Sequence, residues 1–211
     1  MTNLYAFGCS NTYGHGLSDC YNHETKHPGE TYSRYAFPAL VSEKLNLNLI
    51  NRSHCGISNK YILNLFVETD ICDKSIVLIN WTATNRSCIL YKDQEPHHLG
   101  PWLARKKQTI ATQYYKYIWN EHDSTIELYH YANYVDLLCK IKKCKLFQYG
   151  PPCLDTMDIP IWSRMQFPNY DILKTRDNNP SLPLALDDQH PGPGHHKLFA
   201  KQVIKDIQNE L

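Results

Sequence analysis

The chain has 211 residues, 22 Lys and Arg against 21 Asp and Glu, a net charge of +1 and 42% hydrophobic residues. That is enough apolar material for one full core and excludes a disordered polyelectrolyte. The two signs of charge are interspersed, which argues against nucleic acid and against a polybasic membrane anchor as partners, and no apolar run approaches the ~20 residues of a membrane span.

The first predicted strand is NLYAF, near residue 5, and it runs directly into Gly8-Cys9-Ser10. A helix follows in RYAFPALVSEKLN, with Phe37, Leu40, Val41 and Leu45 on one face and Pro38 in the first turn. LNLIN, near residue 49, is the second strand. Ser58 then caps a helix that points Ile62, Leu65 and Phe66 inward. SIVLIN, near 78, is the third strand, followed by a polar loop. Two amphipathic helices come next, one showing Ile110, Ala111, Tyr114, Tyr117 and Ile118, the other Ile126, Tyr131, Tyr134, Val135, Leu138 and Ile141. KLFQYG, near 147, is the fourth strand, and residues 150 to 189 read as a long surface loop. The last helix starts at Pro193 and buries Phe199, Val203, Ile207 and Leu211.

Short apolar strands alternating with helices predict an α/β fold: a three-layer α/β/α sandwich with a mainly parallel, flavodoxin-like sheet in a single domain. The eight cysteines (9, 20, 55, 72, 88, 139, 144, 153) form no CxxC pair. The N-terminus also lacks the charged, apolar and small-residue pattern of a signal peptide. Together these predict reduced thiols in a cytoplasmic protein.

In such sheets ligands sit beyond the carboxyl ends of the strands. Those ends carry Gly8-Cys9-Ser10, Ser53-His54-Cys55-Gly56 and Trp81-Thr82. A serine becomes a nucleophile only beside a base, usually a histidine fixed by a carboxylate, with N–H donors facing the oxyanion. LDDQHPGPGHHKLFA offers Asp187 and Asp188 just before His190. Each residue also has a plainer reading: Ser10 and Gly56 as turn residues, and His190 as a cap before Pro191.

At this point the chain resembles the SGNH (GDSL-like) hydrolase superfamily, and phage-encoded members in particular. FGCSNTYGHGL is similar to its first block, INRSHCGISN to the second and DDQHPGPGHHKLFA to the last, in the expected order from residue 3 to about 202. INWTATNR, with its Trp-Thr and nearby arginine, is similar to the phage proteins. The resemblance implies Ser10 as nucleophile, His190 as base and then acid, and Asp187 as its carboxylate, with Asp188 the alternative. It also implies the N–H groups of Ser10 and Gly56 as oxyanion donors.

Two positions depart from the family pattern. Cys9 stands where an acidic residue is usual, and the Gly-x-Asn-Asp block is absent, leaving Thr82 or Asn85 as the third donor. Cys9 is expected to pack inward, because side chains alternate along a strand. The pairs His97-His98 and His195-His196 lack metal-ligand spacing, so neither a metal nor a cofactor is expected. Arg86 reads equally as an anion clamp and as a solvated side chain. Tyrosines 114, 115, 117, 131 and 134 read as helix packing, and Trp81 as an aromatic at the pocket mouth. The implied activity is a serine esterase acting on a small-molecule or carbohydrate ester. The alternative is a weakly active or inactive binding or accessory protein of viral origin, in the host cytoplasm.

Overall fold

A computed structural model describes residues 2–151 and 171–210 of the chain. Each of the four apolar runs is a strand: β1 (Asn3–Gly8), β2 (Asn48–Asn51), β3 (Ile76–Asn80) and, after a later hairpin, β6 (Lys145–Tyr149). They pair in the order β2-β1-β3-β6, all parallel. Gly8 lies opposite Asn80, and Asn80 opposite Tyr149. The chain therefore leaves β1, β3 and β6 at one edge of the sheet.

Helices cover both faces. α2 (Phe37–Leu45) begins with Pro38 in its first turn and ends at Asn46, whose φ of 51° is left-handed. α3 (Asn59–Glu68) is capped as predicted, the Ser58 hydroxyl accepting from Tyr61 N–H at 3.3 Å. Side-chain alternation along β1 and β3 divides the core in two. Tyr5, Phe7, Val77, Ile79 and Trp81 face Ile62, Leu65 and Phe66 of α3 and Leu128, Ala132 and Val135 of α6 (Glu121–Ile141). Leu4, Ile76 and Leu78, with Phe147 and Tyr149 of β6, face α2 and α8 (Pro193–Glu210), which contributes Phe199, Val203 and Ile207. Leu211 lies outside the described residues.

The structure departs from the sequence reading in several places. The polar loop after β3 contains a hairpin, β4 (Ser87–Ile89) and β5 (His97–Leu99), whose three-residue strands are too short to show a period. It leads into α4 (Pro101–Arg105). α5 (Thr109–Tyr117) buries Ala111 while Ile110 and Tyr117 are exposed. α6 is rotated from the predicted face: Leu128, Ala132, Val135 and Cys139 point inward, and Tyr134 and Ile141 outward. The aromatic and aliphatic pattern on that helix follows its outer surface as well as its core. Of the predicted loop at 150–189, residues 152–170 lie outside the described residues; the remainder contains α7 (Ile172–Asn178), capped by Asp171 accepting from Lys174 N–H at 2.7 Å. No helix among the described residues is long and apolar enough to cross a membrane.

The α2–α8 contact is fastened by a buried imidazole. His196 is 1% exposed, and its Nδ1 accepts from Phe37 N–H at 3.1 Å, satisfying a free donor at the start of α2. Phe37 and Phe199 meet edge to face, with ring centroids 4.7 Å apart. Burial, followed by the neighbouring histidines, depresses the His196 pKa from 6.5 to about 3. The unfolded chain takes up this proton near pH 6.5 and the folded chain only near pH 3, so the stabilisation is complete above 6.5 and is lost as pH falls toward 3. Thermal melts at pH 7 and 4.5 should show a larger acid loss in wild type than in His196→Gln, by about 2–3 kcal/mol. Equal losses would refute this role.

Candidate active site

Ser10 is the first residue of α1 (Ser10–Tyr13), a single helical turn that starts directly after β1. The strand fixes the position of the turn, and the turn raises the hydroxyl at the sheet edge. His190 lies on the turn that precedes α8, some 180 residues away in sequence. Its Nε2 is 2.9 Å from Ser10 Oγ. Its Nδ1 bonds Asp187 Oδ2, while Asp187 Oδ1 accepts from His190 N–H at 3.1 Å and Gln189 N–H at 3.2 Å. A carboxylate acceptor keeps a proton on Nδ1, which leaves the Nε2 lone pair to receive the Ser10 proton. Burial works upward on the Asp187 carboxyl, but these hydrogen bonds outweigh it and the net shift is downward. Asp187 therefore stays ionised beside an imidazolium.

Gly16 allows the two segments to meet. It has φ +85°, its carbonyl accepts from Leu186 N–H at 2.8 Å, and a Cβ there would lie 2.8 Å from Asp187 Oδ1. The acidic turn closes with Ala185 N–H donating to His190 O at 3.0 Å. Asp188 is exposed with φ 56°, and Asp187 occupies the position facing the imidazole.

The remaining sequence candidates fall as follows. Gly56 has φ +77°, in a turn carried alongside β1 by His54 N–H donating to Gly8 O at 3.2 Å. Thr82 is clamped: Asn59 Oδ1 accepts its N–H at 2.8 Å, Asn59 Nδ2 donates to its carbonyl at 2.9 Å, and its hydroxyl accepts from Cys9 Sγ at 3.2 Å. Asn85 offers its carbonyl to the Tyr115 hydroxyl at 2.6 Å. Cys9 is buried as expected, its Sγ 3.8 Å from Ser10 Oγ. Burial works upward on this thiol, but the Arg86 charge and the Thr82 contact outweigh it, and the net shift is downward. Trp81 is a correction: it is 1% exposed and its indole N–H donates to Gln148 Oε1 at 2.7 Å, because it continues the alternation of β3 into the core. The aromatic beside the site is Trp102 of α4, 4.0 Å from the position of a Cβ on Gly56.

His15 was not found from sequence, although its place between Gly14 and Gly16 in the first block was a usable signal. Its ring lies tilted against His190, with centroids 4.6 Å apart, and burial, then the His190 charge, lowers its pKa. His15, Asp187 and His190 are the one group among the described residues whose ligating atoms, all within 4.8 Å of one another, could hold a metal; two of them already form the relay to Ser10. His195 is committed elsewhere, its Nδ1 accepting from Gly192 N–H at 3.0 Å. A cavity of about 450 Å³, lined by His15, Tyr21, Asp187 and His190, opens beside the histidine.

No family model and no curated protein matches the chain. Solved structures do. A carbohydrate esterase, described as having an active site with divergent catalytic and non-catalytic binding functions, aligns with TM-score 0.58 and 12% identity over 98% of this chain and 68% of its own. An acetyl xylan esterase from the rumen bacterium Butyrivibrio proteoclasticus gives TM-score 0.53 and 11% identity, covering 99% and 64%. Phospholipase A1 from Streptomyces albidoflavus NA297 gives 0.50 and 11%, covering 97% and 98%. The chain thus spans about two thirds of the two carbohydrate-directed esterases and nearly all of the phospholipase. The fold is SGNH-hydrolase-like.

The carboxylate that meets the His190 imidazole is that of Asp187 and not of Asp188. A serine-directed fluorophosphonate should label Ser10, and Asp187→Ala should slow labelling by about 10²–10⁴-fold. Asp188→Gly, which suits the left-handed backbone, should label within about threefold of wild type. Equal slowing in both variants would contradict the assignment.

Proposed function

We propose that the protein is a serine ester hydrolase that removes a small acyl group, such as acetyl, from a carbohydrate or related hydroxyl compound. The observation that carries this reading is the continuous line from Ser10 Oγ through His190 to Asp187, formed by two chain segments at the carboxyl edge of the sheet. The fold likeness to a carbohydrate esterase and an acetyl xylan esterase supports an ester on a sugar as the substrate.

In this mechanism Ser10 Oγ attacks the ester carbonyl while His190 Nε2 takes its proton. Asp187 stays ionised and stabilises the imidazolium. The N–H groups of Ser10 and Gly56 receive the negative charge that develops on the carbonyl oxygen. The tetrahedral intermediate collapses, the C–O bond to the alcohol breaks, and His190 returns the proton to the leaving oxygen. Water, deprotonated by the same histidine, then hydrolyses the acyl-enzyme. His15 packs the imidazole from one side and limits the orientations it can adopt. The seven cysteines among the described residues are free thiols, which suits a reducing, cytoplasmic setting.

Ser10→Ala and His190→Ala should each lower hydrolysis of p-nitrophenyl acetate by at least about 10³-fold with the circular dichroism spectrum unchanged. Full activity in either variant would overturn the mechanism. A folded wild type that neither hydrolyses esters nor is labelled at Ser10 would favour a binding protein on the same fold.

A further inference from the structure

Among the polar residues after β3, Thr82 is clamped by Asn59 and its hydroxyl accepts from Cys9, while Asn85 gives its backbone carbonyl to the Tyr115 hydroxyl. One residue further, Arg86 is different. Its Nη1 is buried without a hydrogen-bond partner among the described residues. Its guanidinium lies over the Trp102 ring, 5.2 Å from Cζ to the centroid, and the same ring borders Gly56. Arg86 also lines a cavity of about 230 Å³ that Asn59 and Thr84, the residues around the clamped Thr82, share with Asp123 and Glu127 of α6. The Trp102 ring thereby links the guanidinium to the turn bearing Gly56.

We propose that Arg86 is a further catalytic residue, its guanidinium donating a charged hydrogen bond to the carbonyl oxygen of the ester as that oxygen becomes negative. The inference rests on the ester-hydrolase reading and adds the third donor to it. Buried polar N–H groups are almost always paired, so an unpaired one on an arginine held in place by an aromatic face is set for an acceptor that arrives later. The reach of the charge agrees with this placement: it opposes burial at both Cys9 and Cys55, the residues preceding Ser10 and Gly56. A guanidinium carries a full positive charge at all relevant pH. It therefore favours the anionic tetrahedral state over the neutral ester, as an oxyanion donor must.

The test compares Arg86→Ala, Arg86→Gln and Arg86→Lys with wild type. Hydrolysis of p-nitrophenyl acetate should lose about 10²–10³-fold in kcat in the Ala and Gln variants, with KM within about threefold, and the lysine variant should recover at least part of the loss. Phenylboronic acid provides a measurement independent of turnover: Ser10 Oγ adds to the trigonal boron, its proton passes to His190, and a tetrahedral anion forms. Its Kd, measured by calorimetry, should weaken by a factor similar to the kcat loss, whereas a merely structural arginine would lower the melting temperature without singling out the anion. A kcat within threefold of wild type in the Gln variant, or unchanged boronate affinity, would overturn the assignment while leaving the Ser10 mechanism standing. A wild type that is neither active nor labelled at Ser10 would overturn both.

Discussion

The site depends on one backbone docking, in which the Gly16 carbonyl accepts from Leu186 N–H. This bond ties the loop after the first strand to the turn before the last helix. It works only because Gly16 has no Cβ, since the Asp187 carboxylate lies where one would be. Ser10 is fixed by the strand and its single helical turn, and His190 by the acidic turn, so the docking brings together two arrangements that are each already rigid. The hydroxyl–imidazole distance of 2.9 Å follows from the two frames rather than from the two side chains alone.

Electrostatics then separates the groups by role. Asp187 is kept ionised by three hydrogen bonds despite partial burial. His15, tilted against His190, is held toward its neutral form, so a second positive charge does not accumulate when the relay histidine is protonated. Beside Ser10 this chain has a buried thiol that donates to Thr82, and the charge of Arg86 works against its burial.

The sheet and the relay were legible in the sequence for a common reason. Strands covered on both faces read as apolar runs, as the central β1 and β3 do, while the edge strands β2 and β6 keep apolar centres between polar residues. With the strands located, their carboxyl ends pointed to Ser10 and Gly56, and the resemblance of DDQHPGPGHHKLFA to the last SGNH block implied His190 and Asp187. Other features were set by contacts that leave no period in the sequence. The hairpin of β4 and β5 is three residues a side. The buried stripe of α6 is decided by Leu128, Ala132 and Cys139, while Tyr134 and Ile141 mark the outer surface. Trp81 follows β3 inward to Gln148, a partner 67 residues away in sequence. The choice of Asp187 over Asp188 required the left-handed backbone at residue 188.

Ser10 and His190 are 180 residues apart in sequence. The serine therefore leaves the ribosome well ahead of the histidine and of the helix that anchors the histidine's turn against α2. Until that helix packs, the hydroxyl has no imidazole beside it. In the proposed mechanism, competence is therefore coupled to the packing of α8.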